Sequence, residues 1–590
     1  MLHLIKDRTS DYRIILRSSH SLSEQTAAEE LSSYLKKISG AELPVFTDDT
    51  PVSDHEICIG YTNRLTGEDY SSLGDEGYII RTAGDRLFLL GSGVRGALYC
   101  VYTFLEKFCN CRFYTNDFER VPAADSIVLD NIDLREVPFF AYRNSYWYDQ
   151  SGEFISAKLK INDTFRHALT DRVGGGLGYA GGFVHTLEAL SEKDTETAAV
   201  LCLCDEEIYQ TVLANAKKTL RNNPSSKIIS ISQSDGNSGG CTCEKCLAVN
   251  AEEQSGMGTM LRFVNRIQAD IREEFPGVHV DTIAYQYTIK PPVITKPDPD
   301  VVIRLCTNDC GHRHPFATVS PELAWGNDTI FYDTLKAWSK LANHLYVWDY
   351  IVNFAVYSAA HPNFDTLWEN IRLFAENKAI GVFEQGNIES PDGEFGALKG
   401  YLIARLLWNP MMSKEDYRHY MREFLDDYYG DAGKWMQEFI DYSLECSVHS
   451  NFGAFHIYSN DYLFVPGTGS VLEGEKTFLA HANELFDNAE KAVEDDPLSY
   501  AHVRQSRIQL YIYHFYLLRK MADGMKPSPE KAVINAEIVQ IHRMTFREMR
   551  KYKFTHSCEF RKIDFENEPD WATVDAHGWG YWVPPITNLW

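Results

Sequence analysis

Apolar residues in the first 130 positions follow two spacings, one typical of helices and one typical of short strands. Between residues 21 and 39 they recur three or four positions apart, and the run ends at Gly40, as in an amphipathic helix. A second helix is expected over residues 96–108. Four short apolar runs have the length of strands, namely residues 12–16, 55–60, 76–81 and 85–90. This pattern predicts a small α/β domain over residues 1–130.

From residue 138 to residue 410, short apolar runs alternate with longer helical segments such as 257–274 and 364–377. The candidate strands are residues 139–147, 163–167, 182–185, 228–232, 278–285, 301–305, 345–348 and 380–383. Strands that alternate with helices indicate a parallel sheet, and eight such units have the size of a closed barrel. We therefore expect a central (β/α)8 TIM-type barrel.

The chain after residue 410 has helical periodicity only. Its apolar stripes predict helices over residues 414–429, 433–446, 474–494, 499–521 and 529–551. The expected fold class is therefore α/β, with a C-terminal helical bundle over residues 411–590. Four tryptophans lie in the last twenty residues, namely Trp571, Trp579, Trp582 and Trp590. A tail so rich in indole rings is expected to pack on the bundle or on the mouth of the barrel.

Composition narrows the range of partners. The 590 residues are 44% hydrophobic and 24% charged, which is ordinary for a globular protein, and the formal net charge is −26. That charge disfavours nucleic acid and anionic membranes as partners, and no apolar run is long enough to span a bilayer. The start of the chain has no signal-peptide pattern and the 13 cysteines are an odd number, so we expect a cytoplasmic protein, or an exported one if a leader has been removed. A homo-oligomer is compatible with the sequence.

Polar and aromatic residues follow the ends of the expected barrel strands, where the catalytic groups of such barrels lie. The expected substrate-binding residues are Arg143, Asn144, Tyr148, His185, Asn237, Tyr285, Tyr287, Asp309, Trp348 and Gln385, and the expected catalytic carboxyl groups are Asp235, Asp349 and Glu384. Aromatic rings stack on sugar rings, amides and carboxylates bind hydroxyl groups, and glycosidic bond cleavage needs two carboxyl groups. A single Asp at a strand end more often caps the next helix. Three such carboxyl groups together favour a glycosidase.

A cysteine motif follows Asp235. The run Cys241-Thr-Cys243-Glu-Lys-Cys246 could hold zinc, with further ligands from Cys306, Cys310, His312 or His314. No second C-x-x-C pair follows, so the spacing fits no standard zinc module and favours structural thiols. We therefore expect neither a metal nor another cofactor.

The linked motifs of the barrel resemble those of domain of unknown function 4838, which defines glycoside hydrolase family 163. These motifs are residues 230–237 with the cysteine run, residues 281–287 with Pro291-Pro292, residues 347–350 with Asn353-Phe354, and residues 381–386 with Glu394, Tyr401 and residues 407–410. Residues 76–114 resemble the small α/β domain that precedes the barrel in β-hexosaminidases and α-glucuronidases.

This resemblance implies a retaining β-N-acetylglucosaminidase that acts on N-glycan-type oligosaccharides. Related N-acetylhexosaminidases use the substrate's own acetamido group as nucleophile, through an oxazoline-type intermediate. The sequence departs from hexosaminidases at one point, because Asp235 is followed by Gly236 where those enzymes carry an adjacent Asp-Glu pair.

On this basis Glu384 is the expected general acid/base, and Asp235 or Asp349 orients the acetamido group. The expected walls of the sugar subsite are Trp348, Tyr285, Tyr287, Tyr148 and His185. One alternative is an α-glucuronidase-like enzyme, whose cationic clamp would come from Arg143, Arg304 or Arg313. Another is a carbohydrate-binding protein without catalytic activity.

Overall fold

A computed structural model describes residues 1–65, 67, 69–236, 239–312, 314–318, 328–391, 393–449, 477–559 and 561–567. The four tail tryptophans, Asn237 and Arg313 lie outside these residues. The chain divides into two compact units. The first contains Met1–Ser145, Asp149–Gly176 and Leu407–Asn409, and the second contains Tyr146–Tyr148, Leu177–Leu406 and Pro410–Trp590.

The first unit is a small α/β structure. Its strands are β1 (Leu2–Ile5), β2 (Arg13–Leu16), β3 (Val45–Thr47), β4 (Glu56–Ile59), β5 (Tyr78–Ala83), β6 (Arg86–Gly91), β7 (Arg112–Phe113), β8 (Glu119–Arg120), β9 (Ile127–Leu129), β10 (Asp133–Glu136) and β11 (Tyr142–Asn144). Its helices are α1 (Leu22–Ser39), α2 (Gly96–Phe108) and α3 (Glu153–Lys158). Six strands form one sheet in the order β10-β5-β6-β4-β2-β3.

Local signals set the ends of α1. The Ser21 hydroxyl accepts from the backbone N–H of Glu24, and the Glu24 carboxylate accepts from the backbone N–H of Ser21, which satisfies two donors at the helix start. At the other end Gly40 has φ 83°, a left-handed conformation that favours glycine. Both signals stand in the sequence, which is why the helix bounds were predictable.

The second unit contains a curled sheet of parallel strands that forms half of a barrel. Its strands are β12 (Tyr179–Ala180), β13 (Ile228–Ser230), β14 (His279–Ala284), β15 (Val301–Cys306), β16 (His344–Tyr350) and β17 (Ala379–Gln385). They lie side by side in chain order, and each pairs in parallel with the next. The helices among them are α4 (Leu187–Ser191), α5 (Thr195–Ala199), α6 (Glu206–Asn222), α7 (Glu244–Glu253), α8 (Met257–Ile271), α9 (Asp328–Leu341), α10 (Phe364–Glu376) and α11 (Gly396–Trp408).

Two of the eight expected barrel strands are wrong. Residues 163–167 form no strand, because Asp163 is buried there as the acceptor of a 2.6 Å hydrogen bond from the Tyr142 hydroxyl while Phe165 is exposed. The strand expected over 182–185 lies earlier, at β12. Gly181 follows it with φ 74°, a left-handed turn that ends the extended backbone. The first expected strand, 139–147, is reduced to β11.

Helices fill the rest of the second unit. They are α12 (Lys414–Tyr429), α13 (Gly433–His449), α14 (Phe478–Ala492), α15 (Pro497–Ser506), α16 (Ile508–Asp523) and α17 (Pro529–Lys551), and a hairpin of β18 (His556–Cys558) and β19 (Arg561–Lys562) follows. No helix in the described part of the chain has the length and hydropathy needed to cross a bilayer. The fold class expected from the sequence is confirmed: a small N-terminal α/β domain, a parallel-sheet half-barrel and C-terminal helices.

One expected helix, over residues 499–521, is divided into α15 and α16. The backbone N–H of Leu510 donates to the carbonyl of Arg507 rather than to that of Ser506. The Ser506 carbonyl instead accepts from the Gln509 side chain at 2.8 Å, and the Ser506 hydroxyl is 2.8 Å from the Tyr429 hydroxyl. These side-chain bonds replace the regular helical ladder at the junction.

Candidate active site

The carboxyl ends of β13 to β17 meet at one edge of the sheet, where the barrel fold places catalytic groups. On one face of that edge, Trp348 of β16 and Phe383 of β17 are register partners, and their rings meet edge to face with centroids 5.1 Å apart. The Trp348 indole N–H donates to Gln385 Oε1 at 2.8 Å. Phe183 packs against both rings. Trp348 therefore lies in an aromatic cluster whose other members, Phe183 and Phe383, were not among the expected wall residues.

A buried ion pair lies on the same face, deeper in the sheet. Arg304 Nε donates to Asp281 Oδ2 at 3.1 Å, and a second guanidinium nitrogen also bonds this carboxylate. The guanidinium carbon lies 3.8 Å from the centroid of the Phe183 ring. Because Asp281 neutralises it and Phe183 covers it, Arg304 supports the aromatic cluster and has no free charge for a uronate.

The hydroxyl of Tyr285, directly after β14, is hydrogen-bonded to one carboxyl group and is influenced by the charge of a second. This hydroxyl donates to Asp235 Oδ1 at 3.2 Å, and Asp235 is exposed. Burial, and then the negative charges of Asp235 and Asp309, raise the pKa of Tyr285, so the phenol keeps its proton. Burial also raises the pKa of the half-buried Asp309. The Tyr285 hydroxyl is therefore bonded to an exposed carboxyl group, and a half-buried carboxyl group with a raised pKa acts on it through its charge.

Three residues of these loops have a left-handed backbone that favours glycine. They are Tyr146 with φ 49°, His185 with φ 54° and Gln286 with φ 52°. His185 Nδ1 lies 2.8 Å from the carbonyl oxygen of Gln233, and its ring centroid is 6.3 Å from that of Tyr285. Such conformations cost energy and are concentrated at functional sites. His185 thus lies near Gln233 and Tyr285, and its role in the sugar subsite stays a prediction.

Asp349 and Glu384 lie on the opposite face of the strands from Trp348. They are register partners across β16 and β17, and successive side chains of a strand point to opposite faces. Glu384 is fully buried, and both of its carboxyl oxygens lack a hydrogen-bond partner among the described residues. Asp349 Oδ1 accepts from Thr307 Oγ1 at 2.6 Å and from the backbone N–H of Tyr350 at 3.0 Å.

Burial dominates the protonation of this pair. It raises the pKa of Asp349 to about 7 in spite of the hydrogen bonds from Thr307 and Tyr350, which lower it. Burial and then the charge of Asp349 raise the pKa of Glu384 well above its usual range. At neutral pH the pair therefore retains at least one proton.

Other predicted site residues lie elsewhere. Arg143 and Asn144 belong to the first unit, where the fully buried Arg143 guanidinium is 2.7 Å from the Glu76 carboxylate. A compensated, inaccessible guanidinium cannot clamp a substrate. In the second unit Tyr148 is half-buried, and its backbone N–H donates to the carbonyl of Asn387 at 3.0 Å. Tyr287 packs under the cysteine loop, since a Cβ on Gly240 would lie 2.9 Å from its ring.

One acidic residue beyond the carboxyl ends of these strands was not predicted from the sequence. Glu389 lies four residues after the end of β17, and the Tyr357 hydroxyl donates to it at 2.6 Å. The backbone N–H of Tyr357 in turn donates to the carbonyl of Ser557 in β18. The predicted site residues extend as far as Asn237, five positions beyond an expected strand end, whereas Glu389 lies six positions beyond the expected end of its strand. A wider window would have included it.

The predicted metal-ligand set is partly wrong. Cys241, Cys243 and Cys246 lie together, but the fourth thiol of that cluster is Cys202, which precedes α6. Cys306 and Cys310 are each buried and are not members of this group among the described residues. The sequence signal for Cys202 was its own short Cys-x-Cys spacing, 39 positions before Cys241.

The sequence matches two family models. The model described as Domain of unknown function (DUF4838) matches residues 113–441, and that of the glycosyl hydrolase family 67 N-terminus matches residues 6–104. No curated protein matches the chain.

Solved glycoside hydrolases have a similar fold. A family GH115 4-O-methyl-α-glucuronidase with specificity for decorated arabinogalactans is 12% identical, with a TM-score of 0.56 over 96% of this chain and 81% of that chain. A family 89 glycoside hydrolase from Clostridium perfringens, solved with GlcNAc-α-1,4-galactose, is 10% identical, with a TM-score of 0.49 over 89% of this chain and 66% of that chain. At these identities the first likeness shows a shared fold and nothing about substrates.

Proposed function

Since the chain belongs to the DUF4838 family, whose model matches more than half of it, we propose that it is a glycoside hydrolase. The more specific proposal is a retaining β-N-acetylglucosaminidase that acts on N-glycan-type oligosaccharides by substrate-assisted catalysis. The observation that carries it is the Tyr285 hydroxyl, which donates to Asp235 and whose pKa is also raised by the charge of Asp309, at the carboxyl edge of the sheet that holds the aromatic cluster.

The carboxyl groups of Asp309 and Asp235 have complementary roles in this proposal. Asp309, whose pKa is raised by burial, donates its proton to the glycosidic oxygen as the leaving group departs. The acetamido carbonyl oxygen of the substrate attacks the anomeric carbon, while the Asp235 carboxylate accepts a hydrogen bond from the acetamido N–H. Water then attacks the anomeric carbon, gives a proton to Asp309 and restores the acetamido group. The Tyr285 hydroxyl holds Asp235 in place throughout.

Glu384, which the sequence analysis expected to be the general acid, has a different role here. Its carboxyl group is buried, and its side chain leaves the strand on the face opposite Trp348. A sugar bound on the aromatic face therefore does not contact it. We therefore treat Glu384 and Asp349 as positioning residues that support the strand ends. The acid role of Glu384 stays a testable alternative.

Leaving-group dependence separates the two assignments. A glycoside with a phenol leaving group of low pKa needs little protonation, so the loss of the general acid slows it far less than it slows an alkyl glycoside. We expect Asp309→Asn to lower kcat/KM for the alkyl or oligosaccharide substrate by about 10²–10⁴-fold and to spare the activated aryl β-GlcNAc. Asp235→Asn should slow both substrates, because the attack by the acetamido group is impaired in each.

Glu384→Gln is the matched comparison. As a positioning residue it should lower kcat/KM by a similar factor for both substrates and leave the pH profile unchanged. A loss confined to the poor leaving group in Glu384→Gln, with Asp309→Asn near normal, would return the acid role to Glu384. No hydrolysis of any GlcNAc substrate, with sugar binding retained, would support the alternative of a binding protein.

A uronic acid substrate is the second candidate, since the N-terminal match is to the family 67 N-terminus. A uronate needs a free cation, but Arg304 is paired with Asp281 and Arg143 with Glu76. We therefore expect hydrolysis of aryl β-GlcNAc and none of aryl α-glucuronide. The reverse result would favour the glucuronidase.

A further inference from the structure

We propose that Cys202, Cys241, Cys243 and Cys246 bind one zinc ion as a structural site that fixes the loop carrying Asp235. The four sulfur atoms all lie within 4.8 Å of one another, and the four residues come from two separate segments of the second unit. Cys202 lies in the turn between α5 and α6, and the other three lie at the start of α7.

Two of the sulfur separations match the edge of a tetrahedral metal site, and all of them are within 4.8 Å. With Zn–S bonds of about 2.3 Å, the edges of an S4 tetrahedron are about 3.8 Å long. Cys202 Sγ lies 3.6 Å from Cys243 Sγ and 3.8 Å from Cys246 Sγ. A disulfide would need about 2.05 Å, and all 13 cysteines of the chain are free thiols in the structure.

Backbone hydrogen bonds already surround these sulfurs. The N–H of Cys243 donates to Cys241 Sγ at 3.5 Å, and the N–H of Cys246 donates to Cys243 Sγ at 3.4 Å. Cys243 is also the N-cap of α7, where the partial positive charge of the helix end favours an anion. Donors aimed at sulfur stabilise thiolates, the form that binds a metal, and orient them.

The exposure of the cluster argues against a simple core of thiols. Cys202, Cys241 and Cys243 are half-buried and only Cys246 is buried, whereas the packing cysteines Cys58 and Cys100 are completely buried. Three thiols that reach solvent have no packing reason to converge on a fourth. Thiolate ligands in a tetrahedron select zinc or iron, and four protein ligands leave no open position for catalysis.

The site connects the two segments that border the Asp235 loop. Asp235 lies six positions before Cys241, and a Cβ on the next residue, Gly236, would lie 3.6 Å from the methyl group of Ala199, three positions before Cys202. On the far side, Gly240 packs against Tyr287. The metal therefore ties the loop at its base on both sides. Only this consequence, and not the metal site itself, rests on the proposed function.

The test measures metal in the purified full-length chain, with no substrate present. Elemental analysis should give about one zinc per chain. Cys202→Ser and Cys243→Ser should each reduce the zinc content about tenfold or more. Cys204→Ser is the matched control, since Cys204 lies in the same turn and contacts Cys246 but is outside the group of four sulfurs. It should retain the full zinc content, as should Cys310→Ser.

A second measurement uses the wild-type chain, so it does not depend on whether the cysteine variants fold. Replacement of zinc by Co²⁺ should give the intense visible bands of a tetrahedral thiolate site together with a sulfur-to-cobalt charge-transfer band in the near ultraviolet. Titration with a mercurial reagent should release the zinc as four thiolates react. Absence of bound metal, iron in place of zinc, equal loss in Cys204→Ser, or a disulfide among these cysteines by intact mass would each overturn the proposal. An inactive chain with zinc bound would contradict the glycosidase proposal alone.

Discussion

Protonation of Asp349 should make the stability of this protein depend on pH in a predictable direction. Its carboxyl group is 2% exposed, and burial raises its pKa from 3.8 to about 7. In the unfolded chain the group returns to its ordinary value. Between these two pKa values the folded state therefore binds a proton that the unfolded state has lost.

The sign follows from that difference in bound protons. The contribution of Asp349 to the free energy of unfolding is fully present below the pKa that the group has in the unfolded chain. It is lost as the pH rises from about 4 toward about 7. The difference between 3.8 and about 7 corresponds to about 4 kcal/mol at 1.36 kcal/mol for each pKa unit. Glu384, whose pKa is raised for the same reason, adds to the effect in the same direction.

Asp349→Asn removes the titratable carboxyl group and keeps the size and shape of the side chain. The Asn oxygen can accept the same two hydrogen bonds, from Thr307 and from the backbone of Tyr350. Urea unfolding at about pH 4.5 should show the variant to be more stable than the wild type by only about 1 kcal/mol. At about pH 7.5 the variant should be more stable by an amount on the order of 4 kcal/mol.

Asp235→Asn serves as the control, because Asp235 is an exposed rim residue and not part of the buried pair. Its free energy of unfolding should track that of the wild type at both pH values. If Asp349→Asn is destabilised by the same amount at low and neutral pH, the group is charged in the folded state, and the argument from burial fails.

Three further predictions concern single contacts. Lys399→Met should lower the free energy of unfolding by about 3–5 kcal/mol, because it leaves Glu394 buried without its partner, and urea unfolding would show this. Gly386→Ala should cost about 1–3 kcal/mol in the same measurement, because its Cβ would overlap the Trp147 ring; a neutral result would mean that the ring moves freely. Tyr285→Phe should lower kcat/KM for aryl β-GlcNAc about tenfold with unchanged stability, because only the hydroxyl that holds Asp235 is lost; unchanged kinetics would remove this hydroxyl from the site.

The strong strands were predictable because buried parallel strands read as continuous aliphatic runs. β15 is entirely buried, and five of the six residues in its sequence, VVIRLC, are apolar. Residues 163–167 contain one apolar residue, Phe165, and the tertiary bond between Tyr142 and Asp163 could not be seen in the sequence.

The pairing of buried charges was the other feature that the sequence did not reveal. Arg143 and Arg304 were both candidates for a cationic clamp, although Arg304 was expected to point into the barrel wall. Their partners are Glu76, 67 positions away, and Asp281 on the neighbouring strand. A single sequence does not show which carboxylate neutralises which guanidinium, so it could not exclude them as substrate clamps. The predicted cytoplasmic location stays a prediction.

Strand alternation accounts for the remaining difference between the predicted site and the structure. Trp348, Asp349, Glu384 and Gln385 were grouped because all four stand at strand ends, yet side chains one position apart point to opposite faces. The register that pairs Trp348 with Phe383 therefore puts Asp349 beside Glu384 and away from the aromatic cluster. The alternation of side chains along a strand can be read from the sequence alone, but the register between neighbouring strands cannot. Once one contact fixes that register, here the bond from Trp348 to Gln385, the face of every neighbouring residue follows. Asp281, a carboxyl group that a strand places on the aromatic face, is neutralised by Arg304, so the proposed catalytic carboxyl groups come from the loops, at Asp235 and Asp309.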